Sequence, residues 1–596
     1  MSYQAPLKDL MFNLHHLAEL DLLADTVPAF ADAGVETAAA VLEECAKFNE
    51  SVLAPLNWEG DQRPSWFEDG RVVTTPGFKE AFRQFAQGGW QGLQHPIAFG
   101  GQGLPKTLGA SAIEILNSAN LSFALCPLLT DGAIDAILTA GSEAQKATYL
   151  PRMISGAWTG TMNLTEPQAG SDLAAVRTRA EPQADGTHRL FGTKIFITYG
   201  EHDMADNIVH LVLARVAGAP EGVKGISLFI VPKFLVNPDG SLGDRNDVHC
   251  VSIEHKMGIK ASPTAVLQYG DHGGAVGYLV GEANRGLEYM FIMMNAARFA
   301  VGVQGIAVAE RAYQKAVQYA RDRVQSRPVD GSQKDAVAII HHPDVKRTLM
   351  TMRALTEGCR AMATVAAAAY DRAHHHPDAA ARAQNQAFYE FLVPLVKGYS
   401  TEMSLEVTSL GVQVHGGMGF IEETGAAQYY RDAKILTIYE GTTAIQANDL
   451  VGRKTARDGG QMARTVAAQI AATESQLAAG SAQAQAVGMR LKAAREAFIE
   501  AVDFIALHAR TDPNAVYAGA VPYLMLAGNL VAGWQLARSL CAAERALEQG
   551  DDPLFLQTKV ATARVYADHI LSRVGGLRDS IVQGHAGVCA VAVEAL

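Results

Sequence analysis

Apolar residues recur at helical spacing through Val35–Leu53 and again through Thr107–Leu138, the i, i+3, i+4, i+7 rhythm of helices that bury one stripe. Between them, GGWQGLQHPIAFGGQGLP (Gly88–Pro105) holds too many glycines and prolines for sustained regular structure. From about Thr159 the rhythm changes. His188–Thr198, Asn207–Val216, Lys224–Lys233, Val248–Ile253, Ala265–Gly270 and Val276–Gly281 are short, β-branched-rich runs. Turn signals such as Asp185-Gly186 and Pro238-Asp239-Gly240 separate them, so they read as strands. After Asn284-Arg285-Gly286 the helical period returns in Met290–Arg323 and His342–Ala373, rich in alanine and in i,i+4 charge pairs. A polar spacer around Arg457–Gln461 opens a further alanine-rich helical block. The pattern predicts an α+β fold with its strands confined to one middle segment. Its parts are an N-terminal helical domain (1–158), a middle β-domain (159–282), a helical bundle (283–454) and a C-terminal helical extension (455–596).

Composition narrows this to a globular chain. Hydrophobic residues are 48% and charged residues 19% of 596 positions, which excludes a disordered chain and leaves room for large cores. The net charge of −12 gives no basic footprint for nucleic acid. Cys45, Cys126, Cys250, Cys359, Cys541 and Cys589 form no CxxC pair, which argues against a disulfide framework and a zinc site and suits a reducing cytoplasm. The stretch MSYQAPLKDLMFNLHHL has no basic region followed by an apolar run, so no signal peptide is expected. The apolar stretch Val521–Ala537 is interrupted by Asn529 and Gln535. A spanning helix needs about 20 predominantly apolar residues, so a buried helix is expected there and membrane association is not.

Three stretches carry candidate chemistry. GGMGFIEETGAAQYYRDAKILTIYEGTTAIQ (Gly416–Gln446) begins after Gln413 and His415 and ends with a glutamate, Glu440, between a tyrosine and a glycine, followed by two hydroxyls. It reads either as a helix-terminus carboxylate or as a base on a short turn facing a pocket. In Met162–Asp172, small residues and hydroxyls let backbone N–H groups approach a polar or anionic ligand, although a capped turn has the same composition. Phe196 and Thr198 stand two apart on a strand and share a face. That placement suits covering and hydrogen-bonding a flat ring, and it also suits ordinary strand packing. GQGLPK lacks the last glycine of a dinucleotide fingerprint and follows no clear strand. His374-His375-His376 before Pro377 fits a solvated loop better than a metal site, and no metal is expected. His415 reads as supporting structure, and Arg431-Asp432 as an ion pair bracing the glycine-rich loop.

Taken together, LTEPQAGSD, KIFITYG, ARFAVGVQGIAVAERA, HPDVKRTLM, VQVHGGMGF and RDAKILTIYEGTTAIQ resemble, in order and interval, the acyl-CoA dehydrogenases. The resemblance covers about residues 40–450, and the C-terminal block resembles the extension of the family's longer members. YQAPLKDLMFNL and Ala119–Ile134 resemble a bacterial branch that includes enzymes for fatty acyl-CoA and for 3-(methylthio)propanoyl-CoA.

The resemblance implies FAD at the junction of the helical and β domains and an acyl-CoA substrate. Glu440 would remove the pro-R α-proton, and the β-hydride would go to flavin N5, giving a trans-2-enoyl-CoA. Because a thioester α-proton is weakly acidic, the site must stabilise the enolate. In the family the base's own backbone N–H and the flavin ribityl 2′-hydroxyl do so. A dry pocket over Glu440 would raise its pKa. Leu164 and Thr165 match positions along the isoalloxazine edge, and Ser171 one near the pyrophosphate and substrate. Phe196 matches the stacking aromatic, where the family usually has tryptophan, and Thr198 the hydroxyl on the N5 side. Arg323, and Gln413 with Gly417, match residues that reach the FAD of a neighbouring subunit, which implies a homodimer. Thr442 matches a diphosphate contact, while Ala444 replaces a frequent glutamine. Met294, Asn295, Arg298, Tyr439 and Gly441 match positions around the substrate, with Met294 and Asn295 departing from the family's usual pair. Ala297 cannot serve as the base that some branches carry near Arg298.

The expected function is therefore α,β-dehydrogenation of a saturated acyl-CoA in fatty acid β-oxidation, with electrons passed to an electron-transfer flavoprotein. Alternatives are a 3-(methylthio)propanoyl-CoA dehydrogenase, an acyl-CoA oxidase and, from another class, a non-catalytic flavin- or CoA-binding scaffold. The extension is expected to fill a surface otherwise used for tetramer formation. It lacks the concentrated basic amphipathic stretch of a membrane-surface helix.

Overall fold

The computed structural model describes residues 3–596, and contacts gather them into two units, each discontinuous in sequence. One comprises Phe48–Leu104 and Ala119–Ala297. The other comprises the described part of Met1–Lys47, with Pro105–Ser118 and Arg298–Leu596.

The first unit is built on an eight-stranded sheet. Its path runs Val248–Ile253, Thr264–Tyr269, His188–Thr198, Ala275–Val280, Ser227–Pro232, Asn207–Val216 and Trp158–Asn163. Arg179–Pro182 pairs with both His188–Thr198 and Asn207–Val216. Leu190, Val212, Phe229, Val231 and Leu267 fill the core of the sheet. Lys224–Lys233 is shortened to the strand Ser227–Pro232 because Gly222–Gly225 forms a 3-10 turn. Trp158–Asn163 is buried at every position and pairs in parallel with Asn207–Val216. Its mixture of Thr, Gly and Asn hides it from a count of β-branched residues.

Strands also occur outside the segment expected to hold them. Trp66–Glu68 and Arg71–Val73 form a hairpin inside the stretch read as helical. Asp69 and Gly70 turn it with φ of 48° and 75°, the left-handed pair that an Asp-Gly hairpin turn uses. Val72 packs on the sheet's core. Three-residue strands are too short to display alternation, but the turn signal was there to be read.

Thr107–Leu138 is two helices, Lys106–Ala119 and Leu121–Ala140, broken at Asn120, whose side chain caps the second by accepting from Phe123 N (3.0 Å). Leu121–Ala140 is buried on nearly all sides. A Cβ on Gly160 would lie 2.5 Å from Ala133 Cβ, so the helix rests directly on the backbone of Trp158–Asn163. Leu121–Ala140 and Gly286–Asp322 are long and apolar enough to cross a membrane, but 78% and 72% of their apolar windows are buried in protein, as in core helices.

The second unit is helical, and one core runs through it. Phe299, Leu355, Leu392 and Leu450 of the bundle share that core with Leu491, Leu530, Leu536 and Ile570 of the C-terminal block. The extension therefore completes the bundle's interior instead of standing apart from it. Val521–Ala537 lies in the helix Ala520–Gln549 and is mostly buried, as expected. His374 and His375 are solvent-exposed, as expected, but they end the helix Pro343–His375, and the loop begins only at His376. His374 stacks on Tyr370 at 4.0 Å, and His375 meets Phe30 edge-on at 4.9 Å.

A set of buried charges fastens both ends of the chain to this unit. Arg360 donates to Asp9 Oδ2 (2.7 Å), Glu114 Oε1 (2.5 Å) and Glu310 Oε2 (2.7 Å). Lys559 Nζ donates to Asp9 Oδ1 (2.5 Å) and Glu357 Oε2 (2.8 Å). Asp9 thus links Leu7–His16 to Pro343–His375 and Pro553–His569.

Candidate active site

Glu440 sits between the 3-10 turn Ile435–Thr437 and the helix Thr443–Val451, which Thr442 caps by accepting from Ile445 N (3.3 Å). Glu440 and Gly441 both have positive φ, 55° and 91°. Glycine adopts that region freely, whereas a non-glycine residue there costs on the order of 1–3 kcal/mol and persists only where surroundings impose it. The surroundings here are specific. Lys397 Nζ donates to Leu436 O (2.8 Å) and Gly441 O (2.7 Å), and Gln446 Nε2 lies 3.4 Å from both Glu440 O and Gly441 O. Thr443 Oγ1 donates to Glu402 Oε1 at 2.5 Å.

Burial pushes the Glu440 carboxyl above the ordinary carboxylate range, against the opposing charges of Arg298 and Lys397. The residue nevertheless remains partly accessible, so a substrate can reach it. Arg298 is itself buried, and its Nε has no hydrogen-bond partner. Tyr439 Oη donates to Gln304 Oε1, and Gln304 Nε2 donates to Asn117 Oδ1 (3.0 Å). A row of buried polar groups therefore adjoins the turn.

In the sheet unit, the two motifs that are thirty residues apart in sequence are joined. Lys194 Nζ donates to Leu164 O (2.9 Å), and Ile195 N donates to Thr165 O (2.9 Å). The regular alternation expected to put Phe196 and Thr198 on one strand face is interrupted there by a bulge. Lys194 pairs with Leu267 and Ile197 with Ala265, so His188–Thr198 carries one extra residue between these pairs, and Phe196 has φ 60°. Ile197 is buried between them, while Phe196 is 59% exposed and Thr198 half-buried. An exposed aromatic ring near half-buried Leu164, Thr165 and Thr198 fits a flat heteroaromatic group such as isoalloxazine. Ser171 is exposed beside Gly170, where a Cβ would meet nothing within 4 Å. Met294 is half-buried and Asn295 exposed on Gly286–Asp322, and Met293 packs on Gly132.

The remaining expected residues lie on the surface of the helical unit. Gln413, Gly417 and Arg323 are exposed. Beside Gly417, Met418, Phe420 and Ile421 are exposed, Phe420 by 86%. His415 is structural, stacking on Tyr319 (4.4 Å) and bonding Gly411 O through Nδ1 (2.7 Å). Arg431 Nε lies 3.6 Å from Glu422 Oε1, which follows the glycine-rich turn.

The structure therefore groups Arg298, Tyr439, Glu440, Gly441 and Thr442 in one unit and Leu164, Thr165, Phe196 and Thr198 in the other. Sequence reasoning missed Lys397, Gln446, Gln304 and the buried pair Lys194–Glu166. A lysine inside an apolar strand or helix was the only available signal.

The chain matches the family models described as acyl-CoA dehydrogenase N-terminal domain (residues 36–157), middle domain (161–271) and C-terminal domain (284–454), and acetyl-CoA dehydrogenase C-terminal like (461–592). It is 57% identical to the 3-methylmercaptopropionyl-CoA dehydrogenase of Ruegeria pomeroyi, over 98% of this chain and 99% of that protein. It is 36% identical to the broad-specificity linear acyl-CoA dehydrogenase FadE5 of Mycobacterium tuberculosis, over 97% of each. A crystal structure of an acyl-CoA dehydrogenase complexed with FAD from Bacillus anthracis has the same fold. Its TM-score is 0.73 at 23% identity, over 91% of this chain and 88% of that one.

Proposed function

The chain belongs to the acyl-CoA dehydrogenase family, oxidoreductases of the CH–CH group that use FAD, and we propose that Glu440 is the base that takes the α-proton of the acyl thioester. The observation that carries this reading is the turn itself. A carboxylate is held in left-handed backbone by bonds on both flanks, partly accessible, and made more basic by burial. When bound, FAD supplies the acceptor for the β-hydride. On the sheet unit, Leu164, Thr165, Phe196 and Thr198 would hold its ring, and Ser171 its pyrophosphate. Arg323, Gln413 and Gly417 would reach the FAD of a second copy in a homodimer, a reading supported by their exposure and by the exposed Met418 and Phe420 that follow Gly417.

The acyl substrate we favour is 3-(methylthio)propanoyl-CoA. Its support is the 57% identity to the Ruegeria protein along essentially both chains. The chemistry is compatible, because the sulfur on the β-carbon conjugates with the new double bond. A second reading, straight-chain acyl-CoA in fatty acid β-oxidation, is supported by the 36% relative that acts on linear substrates. Electrons would pass to an electron-transfer flavoprotein, and the cysteine pattern supports a reducing cytoplasm. A kcat/KM series from butyryl- to stearoyl-CoA, with the methylthio substrate included, separates the two readings. The highest value on 3-(methylthio)propanoyl-CoA supports the first, and a maximum on a longer straight chain supports the second. Peroxide yield with and without electron-transfer flavoprotein distinguishes a dehydrogenase from an oxidase.

A further inference from the structure

Lys397 belongs to none of the motifs that mark the family in this sequence, yet its side chain is fully buried. It lies in Leu395–Tyr399, a π-helical turn between the helices Ala379–Pro394 and Ser400–His415. Such turns interrupt regular helices and recur at functional sites. An ammonium ion is costly to bury unless its donors and its charge are both satisfied. Here two donors go to Leu436 O and Gly441 O, carbonyls on either side of Glu440. The charge is balanced by Glu440 and Glu402, with Arg298 opposing.

The C-terminal extension packs on this same turn. Tyr399 Oη lies 2.9 Å from Tyr566 Oη, which also bonds Asn529 O (3.1 Å). A Cβ on Gly528 would sit 2.2 Å from the Tyr399 ring, and a Cβ on Gly398 2.6 Å from Leu524 and 3.1 Å from Gln446. Helix Ala520–Gln549 thus lies flush on the turn, with glycines at both closest approaches. A continuous path of contacts leads from the extension through Tyr399 and Gly398 to Lys397, and from Lys397 to the turn of Glu440.

We propose that Lys397 is a positioning residue for Glu440, spanning the Leu436–Gly441 turn and placing a positive charge beside the carboxylate, and that the C-terminal extension buttresses it. This rests on Glu440 being the base. The other charged groups facing this cluster are Arg298 from Gly286–Asp322, Glu402 from Ser400–His415, and Asp449 and Arg453, which act on Arg298. Burial pulls the Lys397 ammonium down to about 8, so it is charged at neutral pH.

The test is anaerobic stopped-flow reduction of the FAD-loaded enzyme by 3-(methylthio)propanoyl-CoA or butyryl-CoA, between about pH 5 and pH 9. Lys397→Met is expected to slow reduction at neutral pH and to move the acid limb upward by about one pH unit, because a unit charge within a few ångströms shifts a carboxyl by roughly 1–3 units. Lys397→Arg, which keeps the charge, should leave the limb in place. If Lys397→Met does not accumulate as folded holoenzyme, Lys397→Gln keeps N–H donors for the carbonyls, removes the charge, and should give the same limb shift. A neutral variant whose limb stays at the wild-type pH overturns the electrostatic role. For the buttress, Gly528→Ala should slow reduction several-fold with FAD content unchanged, and wild-type rates in that variant overturn it. Glu440→Gln in the same assay separates the two ideas. If it retains the wild-type rate, the base assignment fails, and that failure is distinguishable from any result at Lys397.

Discussion

Lys194 Nζ lies 2.8 Å from Glu166 Oε1, and both side chains are shut away from solvent. The carboxylate also accepts from Thr178 Oγ1 (2.5 Å), Thr178 N (3.0 Å), Arg177 N (2.7 Å) and Gln168 Nε2 (2.6 Å). Burial pushes Glu166 up, but Lys194 and these donors outweigh it and hold the group at about 2, while burial pulls Lys194 down to about 8. Both values leave the pair charged at neutral pH. It is this pair, with the bond from Lys194 to Leu164 O, that ties the LTEP segment to the strand carrying Phe196.

Removing one partner leaves the other buried and unpaired. Lys194→Met is expected to cost about 3–5 kcal/mol of stability, measured by urea denaturation, and to lower the FAD content of the purified protein. Because the folded carboxyl lies below the ordinary carboxylate range, the stabilisation from Glu166 is complete above that range and is lost as pH falls toward about 2. Denaturation midpoints that match the wild type contradict this account.

The acid limb of flavin reduction should lie above the ordinary carboxylate range of about 4–4.5, since Glu440, as the proposed base, must be deprotonated to act and burial raises its carboxyl. The linked effect on stability has the opposite sign from that of Glu166. With its folded pKa raised, Glu440 favours folding at low pH, and that benefit is lost as pH rises through the folded value. Glu440→Gln should therefore melt no lower than wild type at pH above the limb, as read by calorimetry.

On the proposal that Phe196 stacks on the flavin ring, Phe196→Ala should weaken FAD binding by about 0.5–1.5 kcal/mol beyond lost contact area, roughly twofold to twelvefold in Kd. Phe196→Trp should retain binding. Titration of apoprotein with FAD, followed by flavin fluorescence, measures both. An alanine variant with unchanged Kd would place the ring elsewhere.

Arg360 holds three carboxylates among groups that do not reach water. Arg360→Met should destabilise the helical unit by about 3–5 kcal/mol, and proteolysis of Leu7–His16 should become the first cleavage seen in the variant. If cleavage starts elsewhere at the wild-type rate, the network does not anchor this helix.

The middle strands were legible because β-branched runs alternate with strong turn signals, and the long helices because their apolar period persists over many turns. Trp66–Val73 was not, because its strands are too short for any period to register. The bulge at Phe196 was hidden because alternation assumes one residue per position, and an inserted residue leaves no trace in composition. Among the candidate site residues, Glu440 was singled out by its motif, and the structure places it on a turn with positive φ. Lys397 was not, because its partners Leu436 O and Gly441 O are backbone atoms about forty residues away, and backbone acceptors carry no residue identity. The shared core of bundle and extension was hidden for a similar reason, since alanine-rich helices carry little sign of what they pack against.

Single-turnover reduction of Glu440→Gln under anaerobic conditions tests the proposed role of this carboxylate most directly. The variant should purify with FAD bound and bind acyl-CoA, yet its flavin absorbance should remain unbleached while wild type bleaches. Bleaching by Glu440→Gln at a rate near that of wild type would contradict the assignment of Glu440 as the base.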